Sequence, residues 1–305
     1  MKIYDCFTFF NELDLLEIRL NELNDSVDYF VIVEANKTHT GIPKEYIFEK
    51  NKKKFKKFLP KIIYVKINSP FNKLKNSWVL ENYQRNQIIN GLKNCKPEDI
   101  IFISDLDEIP NKKDFKKIIK LLNKKHNFIE KTINNINIII SKILFKLISE
   151  NASIKNKIFR KILKINDYIF LNQDIILLRQ QYYFYYLNGK TDMKFITTRV
   201  LKYKTLIKEY NGKPHYLRYK FNGYVIDSGW HFSYLGGINA IKQKIKSISE
   251  SNLLNINEIK TNINNNLDMF GKHKITYTYI DKTYPKYIIK NKNKLIRKKY
   301  VKTID

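Results

Sequence analysis

Apolar and polar positions alternate in blocks over the first hundred residues. Lys2 to Phe10 is a mostly apolar run of strand length. Leu13, Leu16, Leu20 and Leu23 then recur at helical spacing behind Asn11, a suitable N-cap, with Asp14 in the first turn. Asp28 to Glu34 (DYFVIVE) is a nearly continuous apolar run of the sort buried in parallel sheets. Lys61 to Ile67 repeats it after a basic helical stretch around Lys50 to Phe58. Trp78 to Leu92 predicts a helix, and Asp99 to Ser104 (DIIFIS) another strand. Strands alternating with helices imply an α/β domain with a mostly parallel sheet flanked by helices. Ligands of such sheets sit beyond the carboxyl ends of the strands.

After Pro110 the pattern changes. Residues 113–167 are rich in Ile, Asn and Lys and almost free of Gly and Pro, which predicts two or three amphipathic helices. The apolar stretch from Ile133 to Ile148 is too short and too interrupted to span a bilayer. Its Lys-flanked face suits either an anionic membrane surface or packing within the same domain. Ile175 to Lys204 returns to strand patterning, Asp227 to Gly237 reads as a strand with Gly at both ends, and Ile238 to Ile248 as a helix. Residues 286–305 form a basic C-terminal tail. A length of 305 residues with 43% hydrophobic positions suits one large or two small domains with a sizeable core, and a single domain over 1–305 is the expectation.

The charge changes this picture less than its size suggests. The chain carries 57 Lys and Arg against 29 Asp and Glu, a formal net charge of +28, which points first to nucleic acid or an anionic membrane. Only seven of the 57 are Arg, the side chain best suited to phosphate and base edges. No nucleic-acid-binding motif accompanies the Lys excess, so the expectation is no nucleic-acid partner. Two cysteines make no disulfide framework, and the N-terminus enters a strand pattern directly; a cytoplasmic location, with peripheral membrane contact at most, is the expectation.

The chemistry concentrates in Asp99 to Pro110 (DIIFISDLDEIP). A hydrophobic strand delivers Asp105, Asp107 and Glu108 to a tight turn at the carboxyl edge of the sheet, where carboxylates suit a hard divalent cation with open positions for phosphate oxygens. Acidic pairs are also common on solvated turns, so the strand context carries the inference. Gly229, Trp230 and His231 form a second piece. The histidine is either a packed core residue or a third metal ligand beside the aspartates, and Trp230, Phe232 and Tyr234 are either core or an apolar platform for a sugar. In Trp78 to Asn86 (WVLENYQRN), Glu81 and Arg85 stand four apart on a helix. They form either a simple ion pair or a site where Arg85 meets a diphosphate.

The segments YDCFTFFNELDLLEIRLNEL, VDYFVIVEANKTHTG, WVLENYQRN, DIIFISDLDEIP, GWHFSYLGG and YPKYIIKN occur in the same order as in glycosyltransferase family 17, which this chain resembles over residues 3–110 and about 180–292. The resemblance implies a GT-A type nucleotide-sugar-binding fold, a UDP-sugar donor (UDP-GlcNAc in characterised members), a glycan acceptor and Mn²⁺ or Mg²⁺. It places the aspartate motif on Asp105 and Asp107 with Glu108 following, the Gly-Trp-His motif on Gly229, Trp230 and His231, and Glu34 and Arg85 near the nucleotide. The expected reaction is a metal-dependent inverting transfer with Asp105, Asp107 and His231 at the metal; the general base stays open among Asp227, just before the Gly-Trp-His strand, Glu250, at the end of the following helix, and Glu108. Two departures concern the acceptor: residues 123–175 are longer than the usual connection and read as a helical insertion, and a Trp expected near Asp192 to Lys194 is missing. A metal-dependent nucleotide-sugar hydrolase or phosphodiesterase is the alternative, with a Lys-rich nucleic-acid-binding protein behind it.

Overall fold

A computed structural model describes residues 1–69, 77–124, 174–220, 223–247 and 256–304. The predicted insertion therefore lies almost wholly outside the described residues, as does Glu250. The first strands form where the apolar runs predict them: β1 (Ile3–Phe9), β2 (Tyr29–Ala35), β3 (Ile62–Ile67) and β4 (Ile100–Asp105). These four are mutually parallel in the spatial order β3-β2-β1-β4. Two long strands, β6 (Ile175–Phe184) and β7 (Gly189–Lys202), form an antiparallel pair. β7 joins this ladder to β4, antiparallel. β8 (Tyr224–Ser233) runs parallel to β6 and carries the two-residue β5 (Glu108–Ile109) on its outer side, while β9 (Ile275–Tyr277) pairs with β7. The sheet is thus parallel where βα units build it and mixed beyond β4.

Both faces of the parallel part are covered, which explains the continuous apolar runs. Alternate residues of β1 and β2 divide between two cores. Phe7, Phe9, Phe30 and Ile32 pack with α1 (Leu13–Leu23), α5 (Phe115–Leu122) and the C-terminal Ile288 and Leu295. Tyr4, Cys6, Val31 and Val33 pack with Ile88, Leu206 and Tyr210 on the other side. Residues 286–297, read as part of a basic tail, form two short helices anchored by Ile288 and Leu295.

Local details differ from the expectations for physical reasons. Glu12, not Asn11, stands at the N-cap of α1, and its side chain makes no cap bond; it reaches instead toward Lys244. The basic stretch after β2 is a short helix, α2 (Ile47–Asn51), followed by a 3₁₀ segment from Lys52 to Lys61, where Pro60 removes a backbone donor. The helix expected over residues 78–92 is two, α3 (Ser77–Asn86) and α4 (Ile88–Gly91), parted at Gln87. Among the described residues no helix is long and apolar enough to cross a membrane.

Candidate active site

The segment from Asp105 to Glu108 is a corner between two strands. Asp105 ends β4 opposite Thr8 of β1, Leu106 and Asp107 turn the chain, and Glu108 opens β5 opposite His231 of β8. Asp107 O accepts the Phe232 amide at 2.9 Å, so the corner is stitched to β8 on both sides of His231. The approach is close because residue 229 is glycine. At its φ of +93° a Cβ would lie 2.2 Å from Ile109 O, and any other side chain would push β5 away. The Gly-Trp-His motif therefore works through its glycine as much as through its histidine.

Beneath the corner lies Arg19 of α1, fully buried. Its Nε and Nη2 donate to the Asp5 carboxylate at 2.8 and 2.6 Å, and Nη2 also donates to Ser104 Oγ at 2.7 Å. Its Nη1 donates to the carbonyls of Asp105, Leu106 and Glu108 at 2.7, 3.1 and 3.0 Å. One guanidinium thus gathers the inward-facing carbonyls of the turn and leaves its carboxylates to face outward.

Those carboxylates line an open cleft beyond the carboxyl ends of β1 and β4. Asp105 and Asp107 both reach it but face different cations. Asp105 accepts from Arg85 Nη2 at 2.6 Å, with Arg218 3.9 Å away. Burial pushes its carboxyl up, but Arg85 and Arg218 more than reverse this and hold it at about 2. Asp107 accepts from Lys244 Nζ at 3.0 Å and lies 3.6 Å from His231 Nε2. Burial again opposes ionisation, and Lys244 and His231 bring the carboxyl well below its usual range. In return, burial would lower His231 and Lys244, but Asp107 raises both. Glu108 is the contrast: burial and the neighbouring Asp105 charge push its carboxyl upward, although its Oε2 accepts the Asp105 amide at 2.8 Å.

His231 Nδ1 is buried with no hydrogen-bond partner, so the Nε2 edge facing Asp107 is the one placed for chemistry. A carboxylate and an imidazole at this separation are a donor set that suits Mn²⁺. Among the described residues no three His, Cys, Asp or Glu side chains converge as a metal site by themselves. A cation here would draw its remaining ligands from a bound anion and water.

The remaining expected residues are placed differently. Arg85 is buried behind Asp105, paired with it and with Glu81, and does not line the cleft. Among the described residues the guanidinium that does is that of Arg218, held against Glu81 and over the Trp78 ring at 5.4 Å. Glu34 is fully buried, and its oxygens accept from Lys44 Nζ, the Ile47 and Phe48 amides and Tyr64 OH. It fastens the start of α2, and no free acceptor faces a nucleotide. Trp230 and Phe232 belong to the core, with Trp230 Nε1 donating to Thr283 O at 3.1 Å; Tyr234 alone of the three aromatics lines the cleft. Asp227 lies four residues before His231 along β8, roughly 13 Å away. Its carboxylate is taken up by Arg179 and Lys194 at 2.5 and 2.8 Å, outside the cleft.

Sequence reasoning missed Arg19, Arg218 and Lys244. The scarcity of Arg in a Lys-dominated chain was a signal for the first two, and Arg19 sits among the apolar positions of α1. Lys244 carried none, being one Lys among many.

The family model for glycosyltransferase family 17 matches residues 1–135. Over 116 residues the chain is 31% identical to a rat β-1,4-mannosyl-glycoprotein 4-β-N-acetylglucosaminyltransferase, covering 36% of this chain and 22% of the relative. The human protein of the same name is 34% identical over 107 residues, 33% of this chain and 20% of the relative. The chain thus aligns with about a fifth of the length of these relatives. The resemblance to glycosyltransferase family 17 holds for the N-terminal 135 residues, the part that carries Arg19, Asp105, Asp107 and Glu108.

Proposed function

We propose that this chain is a metal-dependent inverting glycosyltransferase that moves a sugar, GlcNAc from UDP-GlcNAc in the first instance, to a hydroxyl of a glycan acceptor in β-linkage. The observation that carries the reading is the braced Asp105–Glu108 corner, which presents three carboxylates to a cleft at the carboxyl ends of β1 and β4. Strand order turns about β1 and β4, the place where open α/β sheets take nucleotides. The relatives' names supply the GlcNAc.

Asp107 and His231 would hold Mn²⁺ or Mg²⁺, which when bound neutralises charge on the donor diphosphate. Lys244 and Arg218 reach the same cleft and add fixed positive charge where the leaving UDP becomes more negative. Of the three candidate bases, Asp227 is ion-paired outside the cleft and Glu250 lies outside the described residues. Glu108 lines the cleft, and its raised carboxyl gives it greater proton affinity than either aspartate. Glu108 takes the proton of the acceptor hydroxyl as that oxygen bonds to the anomeric carbon and the bond from that carbon to the diphosphate oxygen breaks.

Stabilisation by UDP-sugars with and without Mn²⁺, read by thermal shift, tests donor and metal together. Glu108→Gln should reduce transfer by about 100-fold or more while the UDP-dependent shift persists. Full transfer in that variant removes Glu108 as base. Free sugar released at the same rate with or without acceptor would replace transfer by hydrolysis.

A further inference from the structure

The cleft has a wall on the far side of Asp107 from β1. Tyr182 of β6 lines it, with its ring centroid 4.1 Å from that of His231. Phe184 stacks beneath Tyr182 at 4.5 Å and 27°, and Phe195 of β7 meets it edge-on at 5.4 Å and 66°. Phe195 pairs with Gln180, two residues before Tyr182, and its ring reaches that of Tyr182 across the β6–β7 pair. Tyr183, Phe184 and Phe232 are buried, whereas Phe195 is 46% exposed on a strand hydrogen-bonded within the sheet. Lys194, next to Phe195 in β7, alternates to the other face of the strand and shares the Asp227 carboxylate there with Arg179.

An exposed aromatic face continuous with an aromatic in the wall of a cleft that also carries His231, Ser233 and Lys244 matches one ligand chemistry well. A pyranose ring has an apolar C–H face and a periphery of hydroxyls. The geometry points to Tyr182 and Phe195 as a stacking platform for pyranose rings of the acceptor glycan, with Tyr182 as the inner position and Phe195 as the outer. This rests on the proposed transferase reading. With the nucleotide beyond β1 and β4, the β6–β8 wall is open to an acceptor, and Tyr182 is the aromatic there that touches His231. The platform also gives a role to Phe195, which neither the core nor the Asp105–Glu108 corner uses.

The test compares the intact chain with Phe195→Ala and Phe195→Trp, using methyl gluco-, galacto- and mannopyranosides as probes in saturation-transfer NMR. Thermal stabilisation by UDP is measured in parallel. The expected result is saturation of at least one pyranoside by the parent chain. Binding should weaken about threefold to tenfold in Phe195→Ala and be retained in Phe195→Trp, with UDP stabilisation present in all three. Pyranoside binding in Phe195→Ala equal to that of the parent overturns the platform, as does a parent chain that binds none of the probes. Loss of UDP stabilisation in the parent chain with the Phe195-dependent pyranoside response intact would instead overturn the donor reading and leave the platform standing.

Discussion

At Arg19 a single side chain braces the acidic corner from beneath. Its guanidinium donates to both Asp5 oxygens, to Ser104 Oγ and to three turn carbonyls, with Asp5 itself only 1% exposed. A buried charge left without its partner is strongly unfavourable, because the low-dielectric interior cannot hydrate it. Arg19→Met should therefore cost about 3–5 kcal/mol in urea unfolding, and UDP stabilisation should fall with it. A loss below 1 kcal/mol would show that the turn holds its shape without the brace. Residue identity was partly readable here, since an Arg at an apolar position of a Lys-rich chain stands out. Its partners were not, because Asp5, Ser104 and Glu108 lie 14, 85 and 89 positions away. Glu34 teaches the converse: the family resemblance implied a place near the nucleotide, and its four hydrogen bonds are all internal.

Among the elements, β4, β5 and β8 build the site by meeting at one corner. The apolar run before Asp105 made β4 legible, and the Gly-Trp-His segment made β8 legible, but nothing in either indicated that they converge. Convergence depends on Gly229, whose positive φ and missing Cβ admit Ile109 O. Gly229→Ala should destabilise by about 2 kcal/mol or more, through strain at positive φ and displacement of β5. It should also abolish transfer, because Glu108 moves with β5. Urea denaturation with an activity assay checks both, and parent-like values in both would show that the close approach is dispensable. Alternation along β8 also settles the aromatic question: Trp230 and Phe232 turn into the core while His231 and Ser233 face the cleft. Period-two patterning shows that the two sets separate; which set is inward was fixed only when β6 and β5 took their places beside the strand.

For the molecule as a whole, the net charge of +28 is not the charge of its site. The cleft brings together Lys37, Lys44, Arg218 and Lys244 with five carboxylates, so its formal charge is near balance. The excess lies elsewhere and should act as a diffuse, screened attraction. At low salt the chain should float with vesicles containing anionic lipid and be released as ionic strength rises past about 0.15 M. Equal flotation with neutral vesicles would sink that expectation. The sequence by itself determined the α/β class, the parallel strands, the acidic turn at the end of β4 and the family resemblance, because each is written in contiguous residues through periodicity and motif. Tertiary structure alone decided which cations meet those carboxylates, that Arg85 stands behind Asp105 while Arg218 faces the cleft, that Asp227 is spent on a distant ion pair, and that Phe195 is left bare. Those outcomes depend on distances between segments far apart in the chain, and local patterning carries no information about such distances.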